Sequence, residues 1–161
     1  MRLRVAAPSL LLLLLATASA GRADFKAGLQ AYAEGDFAAA EREWHPLAES
    51  GMVEAQYNLG LLHQQGKGVA RDAAVAHAWY LRAAEAGYAR AQYRVAEMYE
   101  AGEGVRSDLI QAHLWFTMAG RDKFSDARKR RRRVADRMTP EQIARAEMLA
   151  RHRDREAKSR D

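Results

Sequence analysis

The chain has 161 residues and a mass of 18.0 kDa, enough for one modest domain, and its 48% hydrophobic and 29% charged residues with three prolines favour helix over sheet or disorder. The absence of cysteine excludes disulfide scaffolds, cysteine nucleophiles, iron–sulfur clusters and thiolate zinc sites. The formal charge of +5 is uneven: residues 21–120 carry 9 basic and 13 acidic side chains, and residues 121–161 carry 15 and 8, so an acidic body ends in a basic tail.

Residues 1–20 have the plan of a secretory signal. Arg2 and Arg4 form a basic start, Leu10 to Leu15 an apolar run, and Ala18-Ser19-Ala20 a small-residue cleavage site. Cleavage is expected after Ala20, alternatively after Ala23. The apolar run is shorter than the ~20 residues that span a bilayer, and Pro8 interrupts the stretch. No cysteine follows it to carry a lipid. Residues 24–51 then keep a degenerate helix–turn–helix pattern through Gly28, Gly35, Ala40, Trp44, Leu47 and Gly51, with Pro46 expected to kink the second helix.

A shift of 36 residues exposes a repeat. It lays Ala55-Gln56-Tyr57 on Ala91-Gln92-Tyr93 and Gly66-Lys67-Gly68-Val69 on Gly102-Glu103-Gly104-Val105, and 11 of the 29 positions from 55 to 83 are identical without a gap. Ala55, Leu59 and Leu62, then Ala91, Val95 and Met98, recur at i, i+4, i+7 and form one apolar stripe on a first helix. The paired glycines permit a tight reversal, and Asp72 and Asp108 stand where N-caps belong. Second helices carry Ala76, Trp79, Tyr80 and Ala83, or Ala112, Trp115, Phe116 and Ala119. Gly87 and Gly120 are placed for left-handed C-caps.

The units run over 53–87 and 89–120. Residues 121–155 read as a pair of basic capping helices, and 156–161 as a frayed tail. Ser125 is expected to cap the first of these helices, and Thr139-Pro140-Glu141-Gln142 forms a capping box for the second, with Met138 and Ile143 at the staple positions. Ile143, Ala146, Leu149 and Ala150 give that helix an apolar side for the open end of the stack.

The string Ala-Gln-Tyr-x-Leu-Gly-x-Leu, then Gly-x-Gly-Val-x-x-Asp, then Ala-x-x-Trp-Tyr-x-x-Ala-Ala, resembles the Sel-one-like repeat (SLR), a relative of the tetratricopeptide repeat. The second copy departs at Val95-Ala96 and at Met118-Ala119-Gly120, and the unit at 24–51 is more similar to a plain tetratricopeptide repeat. The resemblance implies an all-α fold, a short right-handed α-solenoid with a C-terminal capping helix pair. It also implies an adaptor or scaffold without cofactors, as in exported bacterial members tied to envelope signalling, polysaccharide production and host interaction. The expected location is the periplasm, alternatively the exterior, with a protein partner in the envelope or secreted, and the chain monomeric.

Few residues point to catalysis. Gly-x-Ser-x-Gly, His-Glu-x-x-His, Walker and dinucleotide-binding patterns are absent from the sequence, and Gly66-Lys67-Gly68 lacks the spacing and preceding strand of a phosphate loop. Some SLR proteins have been described as β-lactamase-like, which leaves a hydrolase as a distant alternative, although no Ser-x-x-Lys motif is present. His77 and His113 have no carboxylate at ligand spacing and read as helix-surface residues; no metal site is expected.

Two stretches are candidate binding surfaces. Phe25, Leu29 and Tyr32, then Tyr57, Leu61 and Gln64, then Tyr93, Glu97 and Glu100, share one spacing and lie opposite the core stripe. In a tetratricopeptide-like stack that face lines the concave groove, here apolar at one end and acidic at the other, suited to a peptide with apolar and basic residues. The aromatic members could equally pack between units. The second stretch is Arg128-Lys129-Arg130-Arg131-Arg132-Arg133, open to anionic glycan or lipid headgroups; the signal disfavours nucleic acid.

Overall fold

The computed structural model describes residues 10–122 and 125–159, with side-chain positions from Gly21 onward except at Ala23, Asp122, Ser125 and Lys158. Among these residues the chain is helical: α1 (Leu10–Glu34), α2 (Phe37–Glu49), α3 (Val53–Gln65), α4 (Ala73–Glu85), α5 (Ala89–Ala101), α6 (Leu109–Ala119), α7 (Ser125–Ala135) and α8 (Pro140–Lys158). Helices α1 to α6 each pack on the next in chain order, which is the arrangement of an α-solenoid; α7 and α8 both pack on α6. No helix among the described residues is long and apolar enough to cross a membrane.

The sequence signals for helix ends act as expected in the two regular units. Asp72 accepts from the amides of Ala74 and Val75 at 2.9 and 3.0 Å, and Asp108 from Ile110 and Gln111 at 2.8 and 3.1 Å. At Thr139 the hydroxyl accepts from the Gln142 amide at 3.3 Å and the Gln142 side chain returns the bond to the Thr139 amide at 2.9 Å. Gly120 differs from the expectation. Its φ of −71° is right-handed, and the chain passes into a short 3₁₀ turn at Gly120–Asp122, so no left-handed cap is needed there. α2 runs on through Pro46 to Glu49. α1 is continuous past Ala20 and Ala23, and α8 extends three residues into the segment read as frayed. The Ser125 cap lies outside the described side chains.

Small residues let the helices approach. Ala55, Ala91 and Ala127 are fully buried at 36-residue intervals, as are Leu62 and Val134 with Met98 between them at 1% exposure. α7 thus carries the core stripe of a third first-helix, masked in the sequence by the arginines around it. Gly60 lies flat against Tyr80, where a Cβ would come within 2.6 Å of the ring. Successive units are joined by repeated polar contacts: the Gln56 and Gln92 amides donate at 2.9 and 3.1 Å to the buried Ala48 and Ala84 carbonyls at the C-terminal ends of the preceding helices.

A second recurring contact brings α8 into the same scheme. Arg82 lies 4.6 Å from the Trp79 ring centre and pairs with Glu49 at 3.1 Å. One repeat later Met118 stands where Arg82 was, and Arg153 of α8 supplies the missing cation, 4.5 Å from the Trp115 ring and 3.7 Å from Glu85. Arg121 pairs with Asp154 nearby.

Candidate functional site

The nine stripe residues lie on α1, α3 and α5, and their surroundings differ. Phe25 and Tyr32 are half-buried against Trp44, with ring centres 6.1 and 5.9 Å away, and Tyr32 also meets Phe37 at 5.0 Å. Lys67, from the loop of the next unit, donates to the Tyr32 hydroxyl at 3.4 Å. Tyr57 touches Tyr80 and Tyr88, each at 5.4 Å, and Tyr93 touches Phe116 at 5.4 Å. Gln64 accepts from the Tyr80 hydroxyl at 3.0 Å, and Leu61 is half-buried. Leu29 is the exposed member of the nine, at 45%. The aromatic residues therefore pack within and between units while each keeps one edge open.

The acidic end of the stripe is already engaged. Glu97 accepts from Arg94 at 3.0 Å and from Arg130 of α7 at 3.1 Å, and Glu100 pairs with Arg137 at 3.3 Å and with Arg130 at 3.5 Å. Three guanidiniums thus meet two carboxylates, and the negative charge read from the sequence does not face an approaching partner alone. Arg130 is accordingly directed into the fold. Of its neighbours Arg131 is half-buried, while Arg128, Lys129, Arg132 and Arg133 are exposed, with Lys129 lying 4.0 Å from Asp126.

Between α3 and α5 lies an open depression of about 240 Å³ lined by Tyr57, Arg90, Tyr93 and Arg94. The two tyrosines occupy equivalent places 36 residues apart and are brought to one spot by stacking of the units. Arg90 and Arg94 were not singled out from the sequence. Their signal was present, because i and i+4 share a face, and with Tyr93 and Glu97 they form one row on α5. Burial, reinforced by nearby Glu97, raises the Tyr93 phenol above its ordinary value, so at neutral pH it remains protonated.

His77 and His113 lie inside the molecule, at 8% and 3% exposure, in contrast to their reading as surface residues. His77 meets the Tyr99 ring edge-on at 5.2 Å. Burial holds both imidazoles below the ordinary histidine value, with Arg131 adding to the effect at His113 and Glu147 opposing it. As pH falls through about 6.5, the unfolded chain takes up protons that the folded chain does not, so stability declines with acidification. The urea midpoint is expected to fall from about pH 7 to about pH 5.5, with the slope reduced in His77→Gln/His113→Gln. A wild-type midpoint independent of pH over that interval would show that burial of the two rings carries no such cost. Among the described residues no group of three or more His, Cys, Asp or Glu converges as a metal site.

A stack of helix pairs with recurring Gln, paired-glycine and Asp-cap contacts defines an all-α solenoid of repeats, and the sequence matches the Sel1 repeat at residues 53–88 and 89–123. The chain belongs to the Sel1-like repeat proteins. Over 39 residues it is 49% identical to chitin synthase regulatory factor 3 of Schizosaccharomyces pombe, a match covering 24% of this chain and 4% of that protein. Among solved structures it is similar to a protective antigen of uropathogenic Escherichia coli strains with an SLR fold, with a TM-score of 0.78 and 31% identity over 83% of this chain and 29% of that one. It is also similar to a Sel1 repeat protein of Oxalobacter formigenes, with a TM-score of 0.64 and 28% identity over 66% of this chain and 44% of that one. The chain thus spans less than half the length of each of these proteins. Sel1 repeats generally serve as non-catalytic protein-interaction modules.

Proposed function

We propose that this protein is a non-enzymatic adaptor of the bacterial envelope that holds a segment of a partner protein along the face formed by α1, α3 and α5. The observation that carries the reading is the meeting of Tyr57 and Tyr93, from different repeats, at one open depression. Half-buried aromatic rings held by neighbouring rings are pre-ordered, so little side-chain entropy is lost when a partner covers their open edges. The exposed Leu29 extends this surface toward the first unit. Export is supported by the basic, apolar and small-residue pattern of positions 1–20.

The test is affinity capture of the tagged protein from its own cells, read by mass spectrometry, beside Tyr57→Ala/Tyr93→Ala and the surface variant Leu29→Glu. A partner retained by wild type and lost in both variants, with far-UV helicity unchanged, is the expected result. The same set of proteins captured by all three would overturn the reading.

A further inference from the structure

We infer that the depression between α3 and α5 is a seat for a carboxylate, so that the partner segment held on this face is acidic. The inference rests on the groove reading above and names the chemistry of its occupant. Arg90 and Arg94 stand one turn apart on α5 and line the depression together with Tyr57 and Tyr93. Arg94 shares Glu97 with Arg130, whereas Arg90 is exposed and has no carboxylate within ion-pair distance among the described residues. A guanidinium fork beside phenols suits a carboxylate oxygen pair with an apolar stem.

The charge around the seat has the same sense. Glu97 and Glu100, which from the sequence would draw a basic peptide, are matched by Arg94, Arg130 and Arg137. Arg90 adds a guanidinium that none of these carboxylates pairs with, while Glu54 near Tyr88 and Asp126 near Tyr93 are the other acidic groups whose fields reach the site. The depression also lies along the first turns of α5, a helix of 13 residues whose N-cap, Tyr88, makes no side-chain capping bond. The local arrangement reverses the polarity of partner that the stripe alone would select.

The full chain is used to select peptides from a phage-displayed library of random dodecapeptides, and the recovered pool is sequenced. Enrichment of Asp and Glu over the starting library is expected, with the affinity of a recovered acidic peptide falling about tenfold in Arg90→Gln and further in Arg90→Gln/Arg94→Gln. Arg42→Gln, which removes an exposed charge on α2, is expected to bind as wild type. Neutral or basic peptides that are recovered by wild type and lost in Leu29→Glu would overturn the carboxylate seat while leaving the groove reading standing. Acidic peptides weakened equally by Arg42→Gln would also overturn it, since the attraction would then be diffuse. Failure to recover any peptide would overturn both.

Discussion

Gly104→Ala is expected to lower the unfolding free energy by about 2–4 kcal/mol, read from urea denaturation followed by far-UV ellipticity. Two costs combine at this position. Its φ of +71° lies in the left-handed region where a Cβ crowds the following carbonyl, as does the +74° of Gly102 two residues before. A Cβ on Gly104 would in addition lie 2.3 Å from the Ala73 carbonyl oxygen and 2.4 Å from its carbon, so the loop of one repeat could no longer seat on the start of α4 in the repeat before. Gly87→Ala separates the two costs. Gly87 has a φ of +89° but nothing within 4 Å of a Cβ, so only the conformational cost applies, about 1–2 kcal/mol. Equal losses in the two variants would show that the close approach contributes nothing. Gly68, with a φ of +71° and a Cβ position 2.5 Å from the Phe37 carbonyl carbon, holds the corresponding contact one repeat earlier.

Trp44→Ala is expected to remove about 3–5 kcal/mol, and to do so unevenly along the chain. Trp44 is 1% exposed; its ring fills the space left by Gly28, touches Phe25 and Tyr32, and donates through Nε1 to the Phe25 carbonyl at 3.3 Å. Its removal leaves a cavity in the contact between α1 and α2, and the Phe25 carbonyl loses a side-chain donor. Buried residues near it (Ala40, Leu47, Ala48, Ala55, Leu59, Leu62) form a cluster separate from the one containing Tyr80, Val95, Trp115 and Phe116. Hydrogen exchange is therefore expected to show lost protection over α1 and α2 and retained protection over α5 and α6. Uniform loss along the whole chain would instead make the stack a single cooperative unit.

Much of the fold is legible in the residues because its signals are local. An aspartate at Asp72 or Asp108 caps the amides two and three positions ahead, a Gly-x-Gly pair reverses the chain, and Thr139 with Gln142 closes a box within one turn. The exchange of Met118 for Arg82 is visible as a broken repeat, but its repair by Arg153 is not, since the two positions meet only when α8 folds back over α6. The burial of His77 and His113 was likewise hidden, because a histidine at one position on a helix does not show which neighbour will cover it. The Arg128–Arg133 run concealed the core stripe of α7, whose Ala127 and Val134 continue the 36-residue register.

The sequence by itself determined the helices, the capped starts at Asp72, Asp108 and Thr139, the repeat and hence the family, because caps, turns and apolar stripes act between residues a few positions apart. Tertiary structure decided which charges on the inner face are open to a partner. Glu97 and Glu100 are answered by Arg130 of α7 and by Arg137 in the turn after it, more than thirty residues on, and Arg90 and Arg94 are brought beside Tyr57 from the preceding repeat. Electrostatic pairing acts through space, so the sign of the surface was set by the stacking of helices and could not be read from any one of them.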